Sequence, residues 1–169
     1  STDFAPADLD GTDWSAVKPL YEALLNRPLK CKGCLEGLLL DRSELDATVG
    51  EAGATLYIEM TRHTDDKAAK SAYLTFIEEM EPKLKDVAFK LDRRIAQCPF
   101  ADDLDSDRYG VLLRNIESDV NLFREENIPL QVEDTKLGQQ YAELCGAMTV
   151  EFDGEEKTLP QMGPFMQVV

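Results

Sequence analysis

The chain has 169 residues, of which 33 are acidic and 18 are basic, and its formal charge at pH 7 is -15. This length fits one domain, or one domain with part of the next, and is enough to bury a continuous core. The acidic balance repels phosphate backbones and anionic lipid surfaces, so we expect neither nucleic acid nor a membrane as a partner.

The first residues contain no basic region followed by an apolar one, and no apolar run reaches the length that spans a bilayer. We therefore expect a soluble, cytoplasmic protein. The four cysteines are scattered over a sequence that can form a helical core without crosslinks, so reduced thiols are the simpler prediction. They are Cys31, Cys34, Cys98 and Cys145.

Residues 1–12 show no periodicity and predict an extended segment that leads into the first helix. That helix should begin near Thr12 or Asp13, because either side chain can cap exposed backbone N–H groups. The segment Asn26-Arg27-Pro28 should end it. The predicted apolar stripe consists of Val17, Leu20, Tyr21, Leu24 and Leu25.

A second, longer helix is predicted from about Lys32 to Thr61, because apolar residues recur there at helical spacing. Gly50 and Gly53 lie inside it and should weaken its intrinsic helicity by roughly 1 kcal/mol each relative to alanine. They also allow another helix to approach closely. The stripe consists of Leu38, Leu45, Val49, Ala52 and Leu56.

A third helix should start at Thr64 as N-cap, with Asp65 and Asp66 in its first turn, where the helix dipole favours negative charge. Pro82 should kink this helix without ending it, and Cys98-Pro99 should stop it. The apolar positions keep helical phase across the proline. They are Ala69, Ala72, Tyr73, Phe76, Ile77, Met80, Leu84, Val87, Ala88, Leu91 and Ile95.

A fourth helix is predicted from about Ser106 to Glu126, and Asn127-Ile128-Pro129 should close it before the chain crosses at 128–130. Helices two to four have the lengths and short connections of an antiparallel bundle or a long helical hairpin. The fourth stripe consists of Tyr109, Leu112, Leu113, Ile116, Val120 and Phe123.

The spacing of apolar residues changes in the last part of the chain. A fifth helix should run from Glu133 to Cys145, and alternation at 148–152, followed by the Asp153-Gly154 turn signal and a return strand at 157–159, predicts a β-hairpin. The fold class is therefore mainly α, with a helical bundle, a short helix and a C-terminal β-hairpin. We place the domains at 1–127 and 128–169.

The sequence holds no complete catalytic or metal site. A zinc peptidase helix needs two histidines four residues apart and an adjacent glutamate, and the chain has only His63, which we expect to be solvated or capping. We predict no catalytic residue, no metal ligand and no cofactor here, and we name no substrate-binding residue. The pair Cys31 and Cys34 has the spacing of redox and zinc sites. An incidental pair is the simpler interpretation, and a labile disulfide or a metal site is the alternative.

Several segments, in order and over nearly the whole chain, resemble the oligoendopeptidase F family of zinc metallopeptidases, which are thimet-oligopeptidase-like. The last of these segments is the most specific, because it combines a helix, small residues that end the helix, and a hairpin. The segments are Asp13-Trp14 with Pro19-Leu-Tyr21; Leu38-Leu-Leu-Asp-Arg-Ser-Glu-Leu45; Tyr57-Ile58 through Thr64-Asp-Asp66; Ala72-Tyr73 and Met80-Glu-Pro82; Leu122-Phe-Arg-Glu-Glu-Asn-Ile-Pro-Leu130; and Gly138-Gln-Gln-Tyr141 through Gly146-Ala-Met-Thr-Val150 and Phe152-Asp-Gly-Glu-Glu-Lys-Thr-Leu159.

The resemblance implies a parent enzyme that cuts short peptides in a channel between two helical halves, of which this chain would be the N-terminal, non-catalytic one. It also implies that zinc belongs to the parent and is bound by downstream residues, so that this chain would be inactive alone. The implied partners are the downstream catalytic domain of the same polypeptide and short peptides. The alternative is a free-standing helical adaptor that presents an acidic face to a basic partner.

Overall fold

The computed structural model of the protein describes residues 4–166 and confirms the mainly α fold class. The chain divides into two compact units, Ser1–Pro129 and Leu130–Val169. Each is described by itself below. Within the described residues, no helix combines the length and the apolar character needed to cross a bilayer.

Helix α1, Trp14–Asn26, begins where the sequence predicts. The Asp13 side chain accepts a hydrogen bond from the Ser15 backbone N–H at 2.8 Å and caps the helix. At the other end, the Arg94 guanidinium donates to the carbonyl of Leu24 at 2.6 Å and also to that of Arg27, so a distant helix satisfies the C-terminal carbonyls. Its buried residues are Val17, Tyr21 and Leu24.

Helix α2, Lys32–Arg62, is the longest of the described helices and begins and ends within one residue of its predicted bounds. The extended segment before α1 packs on its middle: a Cβ on Gly11 would stand 2.9 Å from the Ala52 Cβ and 3.0 Å from the Thr48 carbonyl oxygen. Only a residue without a side chain allows this approach.

Helix α3, Lys67–Thr75, has Asp66 as its N-cap, so the prediction of Thr64 was wrong. The Asp66 carboxylate accepts from the backbone N–H groups of Ala68 at 2.8 Å and of Ala69 at 3.2 Å. Asp66 is two residues nearer to the helix than Thr64, so its carboxylate reaches these N–H groups and the Thr64 side chain does not. The two aspartates therefore precede the first turn instead of lying in it.

A wide π turn, Phe76–Met80, joins α3 to helix α4, Glu81–Ala96. The Glu81 backbone N–H donates to the Phe76 carbonyl, five residues back, and the helix continues past Pro82 as predicted. The π turn also changes which side of α3 faces inward. Ala72, which a regular helical period turns inward, is exposed, and Leu74 is half-buried.

Helix α5 spans Ser106–Leu122, so it ends four residues before the predicted Glu126. Phe123 leaves the helical conformation, with φ -59° and ψ 133°, and its ring stacks on that of Phe89 with centroids 3.8 Å apart. Packing of this ring favours the earlier end of the helix.

Helix α6, Asn127–Gly146, occupies the segment predicted as a crossing, so that prediction was wrong. Pro129 is its third residue. The first N–H groups of a helix have no partner inside the helix, and a proline there removes no hydrogen bond.

The first unit is an antiparallel bundle in which α4 returns along α2 and α5 runs back along α4. Arg42 of α2 contacts Asp92 of α4, and Tyr109 of α5 donates to Glu36 of α2. One cluster of the core joins these three helices. Its buried members are Leu35, Leu38, Leu39, Ile95, Cys98, Leu104, Tyr109 and Ile116.

The second unit contains the predicted β-hairpin, with strands β1, Thr149–Phe152, and β2, Glu155–Thr158. Asp153 and Gly154 form the turn with φ values of 57° and 78°, as a type I′ turn requires. A 3-10 turn, Pro160–Met162, and a short helix α7, Gly163–Met166, follow.

Candidate functional site

A cleft of about 630 Å³ opens beside the π turn, between the start of α1, the second half of α2 and α3. We name it the Trp14 cleft. Its apolar wall combines residues that are distant in the sequence, because the bundle brings three helices together there. This wall consists of Trp14, Leu56, Ala72, Phe76 and Met80.

The composition of the Trp14 cleft suits the binding of a ligand. Asp13, Glu79 and Lys83 provide polar groups around the apolar wall, and the Lys83 ammonium lies 6.0 Å from the centroid of the Trp14 ring. An apolar wall with a few polar groups is the usual composition of a ligand cleft. No histidine lines the cleft.

The π turn positions two side chains of this cleft. It places Phe76 and Met80 in the buried layer, where both are below 10% exposed. π turns inside α-helices occur frequently at functional sites. The cleft was not predicted, and its signal in the sequence is the single tryptophan of the chain, directly after a helix cap.

A second constellation is a polar network in the middle of the bundle. Arg42 donates to Asp92 at 2.5 Å and to Asp46 at 3.2 Å, and the Tyr21 hydroxyl donates to Asp46 at 2.6 Å. The side chains of Arg42 and Asp92 are only 15% and 14% exposed, whereas that of Asp46 is 45% exposed. The four groups tie α1, α2 and α4 together.

The charges of this network explain two pKa shifts. Burial raises the pKa of Tyr21 far above its ordinary value, and the hydrogen bond to Asp46 raises it further. Burial opposes the charge of Arg42, but the hydrogen bonds and negative charges of Asp92 and Asp46 outweigh burial and raise the pKa of Arg42. Every member has a partner, so the network is a structural one.

The residues that the structure describes do not fit a zinc site. His63, the C-cap of α2, is half exposed, and its Nε2 lies 3.6 Å from the Glu59 carboxylate. Between residues 4 and 166, no three side chains of the types that bind metal come together. Zinc needs four tetrahedral ligands, or three and a water.

Cys31 and Cys34 form a disulfide, so the prediction of reduced thiols was wrong for this pair. Cys31 is the N-cap of α2, and the first helical turn brings Cys34 back beside it, with the two Cα atoms 5.1 Å apart. The predicted free thiols are found at Cys98, which is buried, and at Cys145, which is half-buried.

An exposed apolar face runs along α6 in the second unit. Four large side chains recur there at spacings of seven, four and three residues, so they lie on one side of the helix. None of the residues of α6 is buried. The face, which we name the α6 face, consists of Leu130, Leu137, Tyr141 and Leu144, which are 67%, 54%, 70% and 67% exposed.

Comparison with known families gives a match. A family model described as the Peptidase M3 N-terminal domain matches residues 4–123, which is more than half of the chain. The matched segment contains α1 to α5, the Trp14 cleft and the polar network, and it ends at the residue that terminates α5. Searches of curated proteins and of solved structures found no match.

Proposed function

The chain belongs to the family of Peptidase M3 N-terminal domains, and on that basis we propose that it is the non-catalytic N-terminal domain of a zinc metallo-endopeptidase like oligoendopeptidase F. The observation that carries this proposal is the match over residues 4–123 in a sequence with a single histidine. The catalytic zinc and its ligands would then belong to another part of the polypeptide.

We further propose that this domain shapes the channel in which short peptides are bound, and that the Trp14 cleft contributes to its wall. The cleft supplies aromatic and aliphatic surface for one or two peptide side chains. Binding there would hold the peptide without taking part in bond cleavage, as expected of a non-catalytic domain.

The catalytic part of the same polypeptide is the partner that we propose for the α6 face. A row of four large apolar side chains, each more than half exposed, is costly in water and is typical of a surface that another domain covers.

The formal charge of the chain favours neutral or basic peptides as substrates and opposes acidic ones. We propose a cytoplasmic location for the enzyme.

The proposal is tested by capturing the protein from its native source with an antibody raised against this chain. The captured polypeptide should be several times heavier than 18.9 kDa, and it should cleave a quenched fluorescent peptide. A zinc chelator should abolish this activity and added zinc should restore it. The recombinant chain alone should show no activity.

Two results would contradict the proposal. Zinc-dependent cleavage by the purified chain alone would place catalysis inside these residues. A captured species of 18.9 kDa without peptidase activity would favour the alternative, a free-standing adaptor with an acidic surface. In that case basic proteins should be captured with it, and moderate salt should release them, because surface charge pairs are screened.

A further inference from the structure

The disulfide between Cys31 and Cys34 has no role in the proposed function, and it is open to solvent. Cys31 is exposed, and so are its two neighbours Lys30 and Lys32. Gly33, between the two cysteines, has no heavy atom within 4 Å of the position of a Cβ. A small thiol can therefore approach Cys31 from solvent.

The surroundings of Cys31 are positively charged. Its Sγ accepts a hydrogen bond from the backbone N–H of Cys34 at 3.2 Å, at the positive end of a 31-residue helix. The first turn of α2 contains no acidic residue, although the whole chain is strongly acidic. Thiolates at helix N-termini and beside lysines are stabilised, and the thiolate is the reactive form.

The backbone on both sides of the two cysteines is also anchored in the core. Leu35, directly after Cys34, is fully buried in the core cluster, and Leu29, two residues before Cys31, packs against the same cluster. The residues on both sides remain anchored when the bond is open. Reduction should therefore leave the two thiols close enough to pair again.

We propose that Cys31 and Cys34 form a reversible thiol–disulfide exchange site for small thiols and dithiols, with Cys31 as the nucleophile and Cys34 as the resolving thiol. In oxidation, the Cys31 thiolate attacks one sulfur of a small disulfide and releases the first thiol. Cys34 then attacks the mixed disulfide on Cys31 and releases the second thiol. Two electrons and two protons pass from the protein to the small disulfide, and reduction by a dithiol reverses both steps.

The first test measures the redox state of the pair in buffers with varied ratios of reduced to oxidised glutathione. The chain is quenched with acid, alkylated and analysed by mass spectrometry. We expect a single two-electron transition that is independent of protein concentration. A pair that stays oxidised in a large excess of reduced glutathione is a structural crosslink, and a pair that stays reduced in oxidised glutathione forms no disulfide. Either result overturns the proposal.

The second test separates the roles of the two cysteines in a Cys145→Ser background, where Cys98 is buried. The Cys34→Ser variant keeps the backbone N–H that donates a hydrogen bond to the Cys31 sulfur. It should therefore trap a mixed disulfide with glutathione on Cys31. The Cys31→Ser variant should form its mixed disulfide on Cys34 at least about tenfold more slowly, because Cys34 is less exposed than Cys31 and is not the N-cap of α2.

Thermal unfolding checks that both variants fold. Equal trapping rates in folded variants would contradict the assignment of Cys31 as nucleophile. Both tests use thiol chemistry alone, so their outcome does not depend on the proposed peptidase function.

Discussion

The ring of Phe76 lies so close to Gly53 that a Cβ on residue 53 would stand 2.9 Å from ring atom Cε1. Gly50, one turn earlier on the same helix, has no atom within 4 Å of the equivalent position. The two glycines of α2 therefore differ in what surrounds them, although both lie in the same apolar pattern of the sequence.

Gly53→Ala and Gly50→Ala should change stability in opposite directions. Alanine gains up to about 1 kcal/mol of helix propensity at either position. At residue 53 the methyl group displaces a buried ring, and overpacking costs about 1 to 3 kcal/mol. Urea unfolding should show Gly50→Ala more stable than the parent chain and Gly53→Ala less stable. The same sign for both would contradict the tight contact with Phe76.

Asp92→Asn should destabilise the first unit by about 2 to 3 kcal/mol, because it leaves the nearly buried charge of Arg42 without its closest partner. Asp46→Asn is the matched control. Its carboxylate is 45% exposed, so the loss should be below about 1 kcal/mol. Chemical denaturation at pH 7 measures both values, and equal losses would mean that Arg42 is effectively solvated.

Tyr21 should make the folded chain lose stability at alkaline pH. The unfolded chain loses this phenol proton near pH 10, whereas the raised pKa keeps the folded phenol protonated. Its contribution is complete below about pH 10 and declines as the pH rises further. Tyr21→Phe should therefore show a shallower fall in unfolding free energy between about pH 10 and 12. An unchanged slope of unfolding free energy against pH would mean that the Tyr21 phenol is exposed to solvent in the folded chain.

Trp14 should report on peptide binding through its fluorescence, because it is the only tryptophan of the chain. Short apolar peptides should shift its emission in a saturable way. The Ala72→Phe variant, which fills part of the cleft and keeps Trp14 as the single tryptophan, should abolish the shift, and Gly50→Ala, outside this cleft, should leave it unchanged. A shift that survives in Ala72→Phe would show that peptides bind elsewhere.

Substitutions on the α6 face should weaken association with the catalytic part and leave the first unit intact. Leu137→Glu with Leu144→Glu puts two charges on the apolar face, and burying them would cost several kcal/mol. Capture of the catalytic part by the variant chain should fall by about 100-fold or more, as two or more hot-spot losses imply. Glu133→Gln, on the same helix, is the control.

Local signals in the sequence were sufficient for α2 but not for the junction of α5 and α6. The apolar period of α2 is long, and its bounds were predicted within one residue. The segment Asn127-Ile128-Pro129 is compatible with the end of one helix or the start of another, since a proline is tolerated in a first turn. Only the stacking of Phe123 on Phe89, 34 residues away, distinguishes the two.

The Trp14 cleft could not be predicted because its wall combines residues from three helices. Trp14, Leu56 and Phe76 become neighbours through bundle packing, and sequence spacing does not encode that arrangement. The spacing of Cys31 and Cys34 and the start of α2 at Lys32 both follow from the sequence, and a first helical turn at that place brings the two cysteines side by side, so the disulfide was predictable from local signals.

The π turn at Phe76–Met80 contains one residue more than a regular α-helix would place between α3 and α4. Deleting one residue there would restore a regular α-helix with every backbone hydrogen bond intact. Because the wide turn absorbs the extra residue, the deletion would leave the orientation of α3 relative to α4 nearly unchanged. Its effect would fall on the side chains of the turn, among them Phe76 and Met80 of the cleft wall. A one-residue deletion in this turn would therefore alter the Trp14 cleft without breaking the helix or turning α3.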